Sequence, residues 1–334
     1  MIIDEYFLGI DIGGTKMLAA LVDAQGRVLA KDQQPTLAAE GEHEVIRRLI
    51  DMIEALLSSV PNLPTRSMLS LGIATAGILD MNAGTIVLST NLGWRHVALG
   101  PILERKFGVP VRLINDASAA ALGEWLVGAG KGTEDCVYVT VSTGIGGGVI
   151  SGGRMLLGAS NNAAEIGHIS IDRKGPMCKC GNRGCVELYA AGNSIARQAA
   201  EDLRAGNLQT ALLADLAGHD PERVTAKLVA EAASSGDPYS VSLLQEAGEA
   251  LGVAMVTIIH LFNPEIIIFG GGVSLSGDVL FEPMRRTIQE LGIEGMVKDV
   301  KITRSSLGAE AGAIGAALLW KYENQAVKEN SFED

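Results

Sequence analysis

The apolar positions of this chain fall into short runs closed by glycine-rich turns, with longer helical stretches between and after them. Residues 6–12, YFLGIDI, have the length and apolar character of a buried strand, and 13–16, GGTK, form a tight turn. The chain returns as a strand at 17–23, and Gly26 turns it into a third at 28–31. Strand, glycine turn, strand is a hairpin, not the strand-to-helix step of a Walker loop. Residues 135–157 repeat the pattern as CVYVTV, STGIGGG and VISGGRML. The repeat predicts two related lobes, each with a glycine hairpin able to bring backbone N–H groups to a phosphate, and two such hairpins facing each other would clamp a polyphosphate.

Between the hairpins, apolar residues at 45, 46, 49, 50, 53, 56 and 57 predict a helix over 42–59, ended by Pro61 and Pro64. Strands are expected at 70–74, 85–89 and 109–114, and helices at 101–107 and 119–127. After residue 190 the pattern is mainly helical, with helices at 193–205, 238–262, 280–291 and 309–322 and strands at 265–269 and 300–303. Asp220-Pro221 and Asp237-Pro238 each read as an N-cap followed by proline at the first helical position. The polar segment 323–334 is expected to fray.

Composition narrows the class. A chain of 334 residues suggests two lobes, and 47% hydrophobic with 20% charged residues is globular. A formal charge of −12 argues against a nucleic-acid surface. The N-terminus lacks the basic and apolar regions of a signal peptide, and the longest apolar segment, 251–262, is too short to cross a bilayer. The expectation is a cytoplasmic protein with no membrane partner, in which cysteines bind metal rather than pair as disulfides.

Three stretches carry candidate chemistry. In 165–187, EIGHISIDRKGPMCKCGNRGCVE, Cys178, Cys180 and Cys185 with His168 make the Cys3His set of a closed tetrahedral zinc site. Four protein ligands leave no place for a catalytic water, so the metal would be structural and would fix the loop bearing Glu165, His168 and Glu187. Free cysteines in a glycine-rich loop are the weaker alternative. Asn115-Asp116 ends a strand just before a helix, where ligands gather in open α/β sheets, although Asp116 could merely cap that helix. Gly270-Gly271-Gly272 follows another strand and would let a flat base or ribose lie against backbone.

Together DIGGTK, LINDASAAALGE, TVSTGIGGGV, EIGH, CKCGNRGCVE and NPEIIIFGGGVS resemble, over nearly the full length, the ROK family (repressor, open reading frame, kinase) of the actin- and hexokinase-like ATPase clan. The resemblance implies an α/β, two-lobed ribonuclease H-like fold with a zinc loop in the large lobe. It divides the chain as 1–117 plus 306–334 for the small lobe and 118–305 for the large one. It implies a glucokinase-type enzyme, using ATP, catalytic Mg2+ and structural Zn2+, that phosphorylates the 6-hydroxyl of a hexose. Asp116 matches the catalytic aspartate. Gly77, Asn91, Asn115, Glu165, His168 and Glu187 match sugar-contacting positions, and His168 would serve sugar and zinc with one ring nitrogen each. Asp11, Gly13, Gly14, Thr15, Lys16, Thr143, Gly144 and Gly146 match the phosphate loops, with Mg2+ near Asp11, and Gly271 and Gly272 match the adenosine segment. Family members are usually dimers or tetramers.

Three positions depart from the family pattern: Ala76 stands where Pro is frequent, and Asn161 and Ala164 where Gly is. Ala164, beside Glu165, bears on which sugar is preferred. N-acetylmannosamine, N-acetylglucosamine, fructose or allose could replace glucose; glucose is preferred because no departure demands another. A sugar-sensing transcriptional regulator is the alternative of another class. It is disfavoured because Asp11, so near the start, leaves no room for a preceding helix-turn-helix.

Overall fold

A computed structural model describes residues 5–60, 68–208 and 211–330. The chain forms two compact units: 1–133 with 148–164 and 305–334, and 134–147 with 165–304. Pro61 and Pro64, expected to end the first helix, lie outside the described residues, as do 331–334 of the tail.

The first unit opens with the expected triple-stranded meander, β1 (Tyr6–Ile12), β2 (Lys16–Asp23) and β3 (Val28–Pro35), followed by α1 (Glu42–Ser59) and β4 (Met68–Thr75). A small sheet comes next, β5 (Ile78–Asp80), β6 (Thr85–Ser89) and β7 (Trp94–Val97). Then follow α2 (Leu99–Phe107), β8 (Val111–Asn115) and α3 (Asp116–Val127). The main sheet has the order β3-β2-β1-β4-β8, antiparallel within the meander and parallel from β1 to β8.

Strand alternation sends Tyr6, Leu8, Ile10 and Ile12 with Met17, Ala19 and Leu21 into one core with α1, α2 and the small sheet. Phe7, Leu18, Ala20 and Val22 point to the other face, where Ala313, Ile314 and Ala317 cover them. Burial on both faces explains why these strands read as continuous apolar runs. Residues 311–317 belong to the last helix, which lies on the sheet at glycines. A Cβ at Gly9 would sit 1.9 Å from the Ala313 carbonyl oxygen, and one at Gly72 1.8 Å from that of Ala316.

The second unit begins with β9 (Cys136–Val141) and β10 (Ile145–Ser151); the division between units falls within β10, and β11 (Arg154–Met155) follows it. Beyond the cysteine loop come α4 (Glu187–Ala190), α5 (Gly192–Arg204), α6 (Ala211–Leu216) and α7 (Ala226–Ser234). The chain continues through α8 (Pro238–Phe262), β12 (Ile266–Gly270), α9 (Asp278–Leu291), α10 (Glu294–Val297) and β13 (Lys301–Arg304). The sheet order β11-β10-β9-β12-β13 repeats the meander-then-parallel order of the first sheet, so the sequence repeat corresponds to a repeated topology. Re-entering the first unit, the chain ends in α11 (Ala311–Asn330).

Some elements differ from expectation. The segment expected to fray continues α11 as far as Asn330. Asp220 caps only a single 3-10 turn, Pro221–Arg223, and Thr225 caps α7 instead. Helix α8 runs unbroken for 25 residues, long and apolar enough by composition to cross a membrane, but 61% of its most apolar window is buried within the protein. Its Gly248 and Gly252 lie against the Leu280 and Met284 carbonyls of α9. The boundary after residue 117 falls inside α3, which packs with α11 in the first unit: a Cβ at Gly315 would be 1.7 Å from the Ala119 carbonyl oxygen.

Candidate active site and metal cluster

In the first unit, the Gly13 N–H donates to the Lys16 carbonyl across the β1–β2 turn at 2.9 Å. A fully buried residue that sequence reasoning missed, Thr36, braces this turn: its hydroxyl donates to the Gly13 carbonyl at 2.6 Å and its N–H to that of Thr15 at 2.9 Å. No local pattern marked it, because the contact joins residues more than twenty positions apart. Gly14 lies against the β6–β7 turn, where a Cβ would be 3.1 Å from the Asn91 carbonyl oxygen. Gly77, at φ 128, sits where a Cβ would be 2.3 Å from the Leu88 carbonyl oxygen. The turn residues Gly13 and Gly14 are half-buried, and Thr15 and Lys16 are exposed.

Asp11, near the end of β1, and Asp116, the first residue of α3, form a pair of half-buried carboxylates. Burial, then the neighbouring Asp116, pushes Asp11 from 3.8 up to about 7, against a smaller lowering by Lys16. Burial also raises Asp116, although the Ala117 N–H, 2.9 Å from its Oδ1, opposes this. The helix cap is Asn115, whose Oδ1 accepts from Ala117 N–H at 3.0 Å and Ser118 N–H at 3.2 Å. Asp116 is therefore not needed as the cap. The start of α11 comes close as well, since a Cβ at Gly312 would be 2.7 Å from Asp11 Oδ2.

In the second unit, the turn Ser142-Thr143-Gly144 closes with Ser142 N–H on the Gly144 carbonyl at 2.9 Å. Ser142 and Thr143 are exposed, and Gly146 lies within β10. Gly271, at φ 85, packs on the end of β9, where a Cβ would be 2.3 Å from the Val141 carbonyl oxygen, while nothing lies within 4 Å of a Cβ at Gly272.

The cysteine loop brings its four expected ligands together: the donor atoms of His168, Cys178, Cys180 and Cys185 all lie within 4.8 Å of one another. Cys178 Sγ is 3.7 Å from His168 Nδ1, and Cys180 Sγ is 3.6 Å from Cys185 Sγ. A tetrahedron with metal–sulfur bonds of about 2.3 Å has edges of about 3.7 Å, so the set fits zinc. Burial, then the neighbouring sulfurs, pushes the Cys185 thiol up to about 12; a cation at the centre would favour the thiolate. Gly184, at φ 64, has the Asp172 carbonyl oxygen 1.9 Å from a would-be Cβ, which shapes this loop. His168 Nε2 lies on the other side of the ring, 3.9 Å from Glu165 Oε2. Glu187, two residues past Cys185, turns its Oε2 to the Ile145 N–H at 3.0 Å.

The ROK family model matches residues 7–323. The chain belongs to the ROK family. Among ROK relatives, it is 37% identical to a glucokinase of Thermotoga maritima over 315 residues, 94% of this chain and 96% of the relative. It is 29% identical to a xylose repressor of Caldicellulosiruptor bescii, covering 92% of this chain and 76% of the repressor. The ROK family glucokinase of Streptomyces griseus, solved with glucose and AMPPNP, superimposes with a TM-score of 0.81 at 33% identity, covering 94% of this chain and 98% of that one. The two-lobed actin- and hexokinase-like fold expected from the sequence is thus the fold of this protein.

Proposed function

We propose that this protein transfers the γ-phosphoryl group of ATP to the 6-hydroxyl of a hexose, and that the hexose is glucose. The observation that carries this reading is Asp116: a half-buried carboxylate with raised proton affinity, freed from capping by Asn115 and backed by a second carboxylate, Asp11. Near-full-length glucokinase relatives support the same chemistry.

Phosphoryl transfer is mostly positioning and charge stabilisation. The sugar O6 forms a bond to Pγ as the bond from Pγ to the bridging β,γ-oxygen breaks, and Asp116 accepts the O6 proton before returning it to solvent. Gly13, Gly14 and Thr15 in the first unit, and Thr143, Gly144 and Gly146 in the second, would offer backbone N–H groups to phosphate oxygens, with Lys16 adding a charge. Mg2+ arriving with the nucleotide would neutralise phosphate charge beside Asp11. The open face at Gly272, with Gly271 locked behind it, suits adenosine. Gly77, Asn91, the amide N–H groups of Asn115, Glu165, His168 Nε2 and Glu187 would read the sugar hydroxyls, so an analogue lacking one leaves a polar group unpaired. A zinc ion held by His168, Cys178, Cys180 and Cys185 would fix the loop that presents Glu165 and Glu187. Free thiols at metal-binding spacing suit a reducing, cytoplasmic setting.

A coupled ADP-release assay across hexoses and N-acetylhexosamines, with Asp116→Ala as control, tests the reading. Fastest turnover on glucose and none in the control are expected. No turnover on any sugar, or an unchanged rate in the control, overturns it.

A further inference from the structure

Glu187 is matched to the sugar, yet one of its carboxylate oxygens is already engaged elsewhere. Oε2 accepts from the Ile145 N–H at 3.0 Å, at the first residue of β10 after the phosphate hairpin. The same oxygen would lie 2.7 Å from a Cβ at Gly144, so glycine at that position leaves room for the carboxylate. The segment that follows Glu187 grips the rest of the turn. Gly192 N–H donates to the Ser142 carbonyl at 2.7 Å, Asn193 N–H to the Thr143 carbonyl at 3.2 Å, and the Ser194 hydroxyl back to the Glu187 carbonyl at 2.7 Å. On its other side Glu187 is tied to the metal loop: Val186 N–H donates to the Ile169 carbonyl and Leu188 N–H to the Cys185 carbonyl, both at 2.9 Å. Among the described residues none donates to Oε1.

We infer that Glu187 is a positioning residue that couples the sugar site to the second phosphate hairpin, so that sugar and nucleotide strengthen each other's binding. This rests on the kinase reading above. A sugar hydroxyl donating to Oε1 fixes the carboxylate plane, and with it Oε2, the Ile145 N–H and the backbone at Gly144 that faces the nucleotide. An ordered hairpin costs the nucleotide less to bind, and linkage requires the same factor in the reverse direction. The hairpin and the sugar loop thus share one side chain rather than meeting only through the substrates.

Calorimetry on the full-length, metal-loaded protein tests this, with glucose and Mg2+–AMPPNP each titrated alone and in the presence of the other. In the wild type each ligand tightens the other about five- to tenfold. Glu187→Ala abolishes the mutual effect and weakens AMPPNP binding even without sugar. Glu187→Gln, which keeps an oxygen for the Ile145 N–H, retains AMPPNP affinity while losing glucose affinity. Gly144→Ala, a change in the phosphate hairpin, weakens glucose about tenfold in the absence of any nucleotide, because its methyl group displaces Oε2. Metal content at the wild-type level in every variant shows that the loop has folded. The inference is overturned if coupling survives Glu187→Ala, or if Gly144→Ala binds glucose within twofold of wild type while turnover persists. A wild type that turns over no sugar overturns the kinase reading itself, and the coupling with it.

Discussion

Replacing Asp11 by asparagine is expected to stabilise the ligand-free protein while disabling it. Asp11 is displaced from 3.8 to about 7 by burial and by Asp116. Because the folded-state value lies above the unfolded one, the folded protein favours protonated Asp11. The stability associated with that proton is fully present below about pH 4 and is lost as pH rises through about 7. At about 1.4 kcal/mol per pH unit the ceiling is about 4 kcal/mol. Asp11 is partly solvent-accessible, and screening reduces the effect to about 2 kcal/mol. Asn at this position carries no charge to bury and escapes the loss. Scanning calorimetry without Mg2+ or nucleotide, at pH 4.5 and pH 8, reads the effect on the first unit. The variant's advantage should be small at pH 4.5 and reach about 4–8 °C at pH 8. Added Mg2+–ATP should narrow the gap, since only the wild type retains the carboxylate for the cation. A variant no more stable than wild type at pH 8, or an advantage independent of pH, would refute the reasoning.

Two further outcomes follow from particular residues. Ala164 holds φ 66, a left-handed conformation that costs a non-glycine residue about 1–2 kcal/mol, whereas glycine adds about 0.4–1 kcal/mol of unfolded-state entropy. Ala164→Gly should therefore stabilise by about 0.5–1 kcal/mol in a denaturant titration, and a fall in midpoint would show that no strain is stored there. Metal analysis should find one zinc per chain, and its removal by a chelator should lower the melting temperature and raise the KM for sugar. Metal-free protein with full activity and unchanged KM would contradict a structural role for the cluster.

Much of the architecture was legible because the signals are local. Both glycine hairpins stand between apolar runs, and those runs are continuous because Leu8, Ile10 and Phe7 are buried on opposite faces of one sheet. The cysteine spacing marked the Cys3His cluster because few other arrangements order three thiols among so many glycines, and the four donor atoms do come together. Contacts between distant segments were not legible. Thr36 locks the first hairpin, and buried Glu124 on α3 accepts from the backbone and hydroxyl groups of residues 305–307, some 180 positions later. Ala164, which stands where the resemblance leads to an expectation of glycine, could be noted in the sequence, but only the structure shows that its backbone is left-handed. The role of Asp116 was ambiguous for a similar reason: in the sequence it could merely cap α3, and only the hydrogen bonds of Asn115 show that the preceding residue does so.

The central claim is that Asp116 acts as the base in phosphoryl transfer to a sugar, and phosphorus NMR of the reaction with glucose and Mg2+–ATP tests it most directly. The wild type should accumulate glucose 6-phosphate and ADP in equal amounts. Asp116→Asn should bind glucose within a few-fold of wild type yet form product at least about a hundredfold more slowly. Equal product from both proteins, or ATP consumed with no phosphorylated sugar in the wild type, would contradict the account.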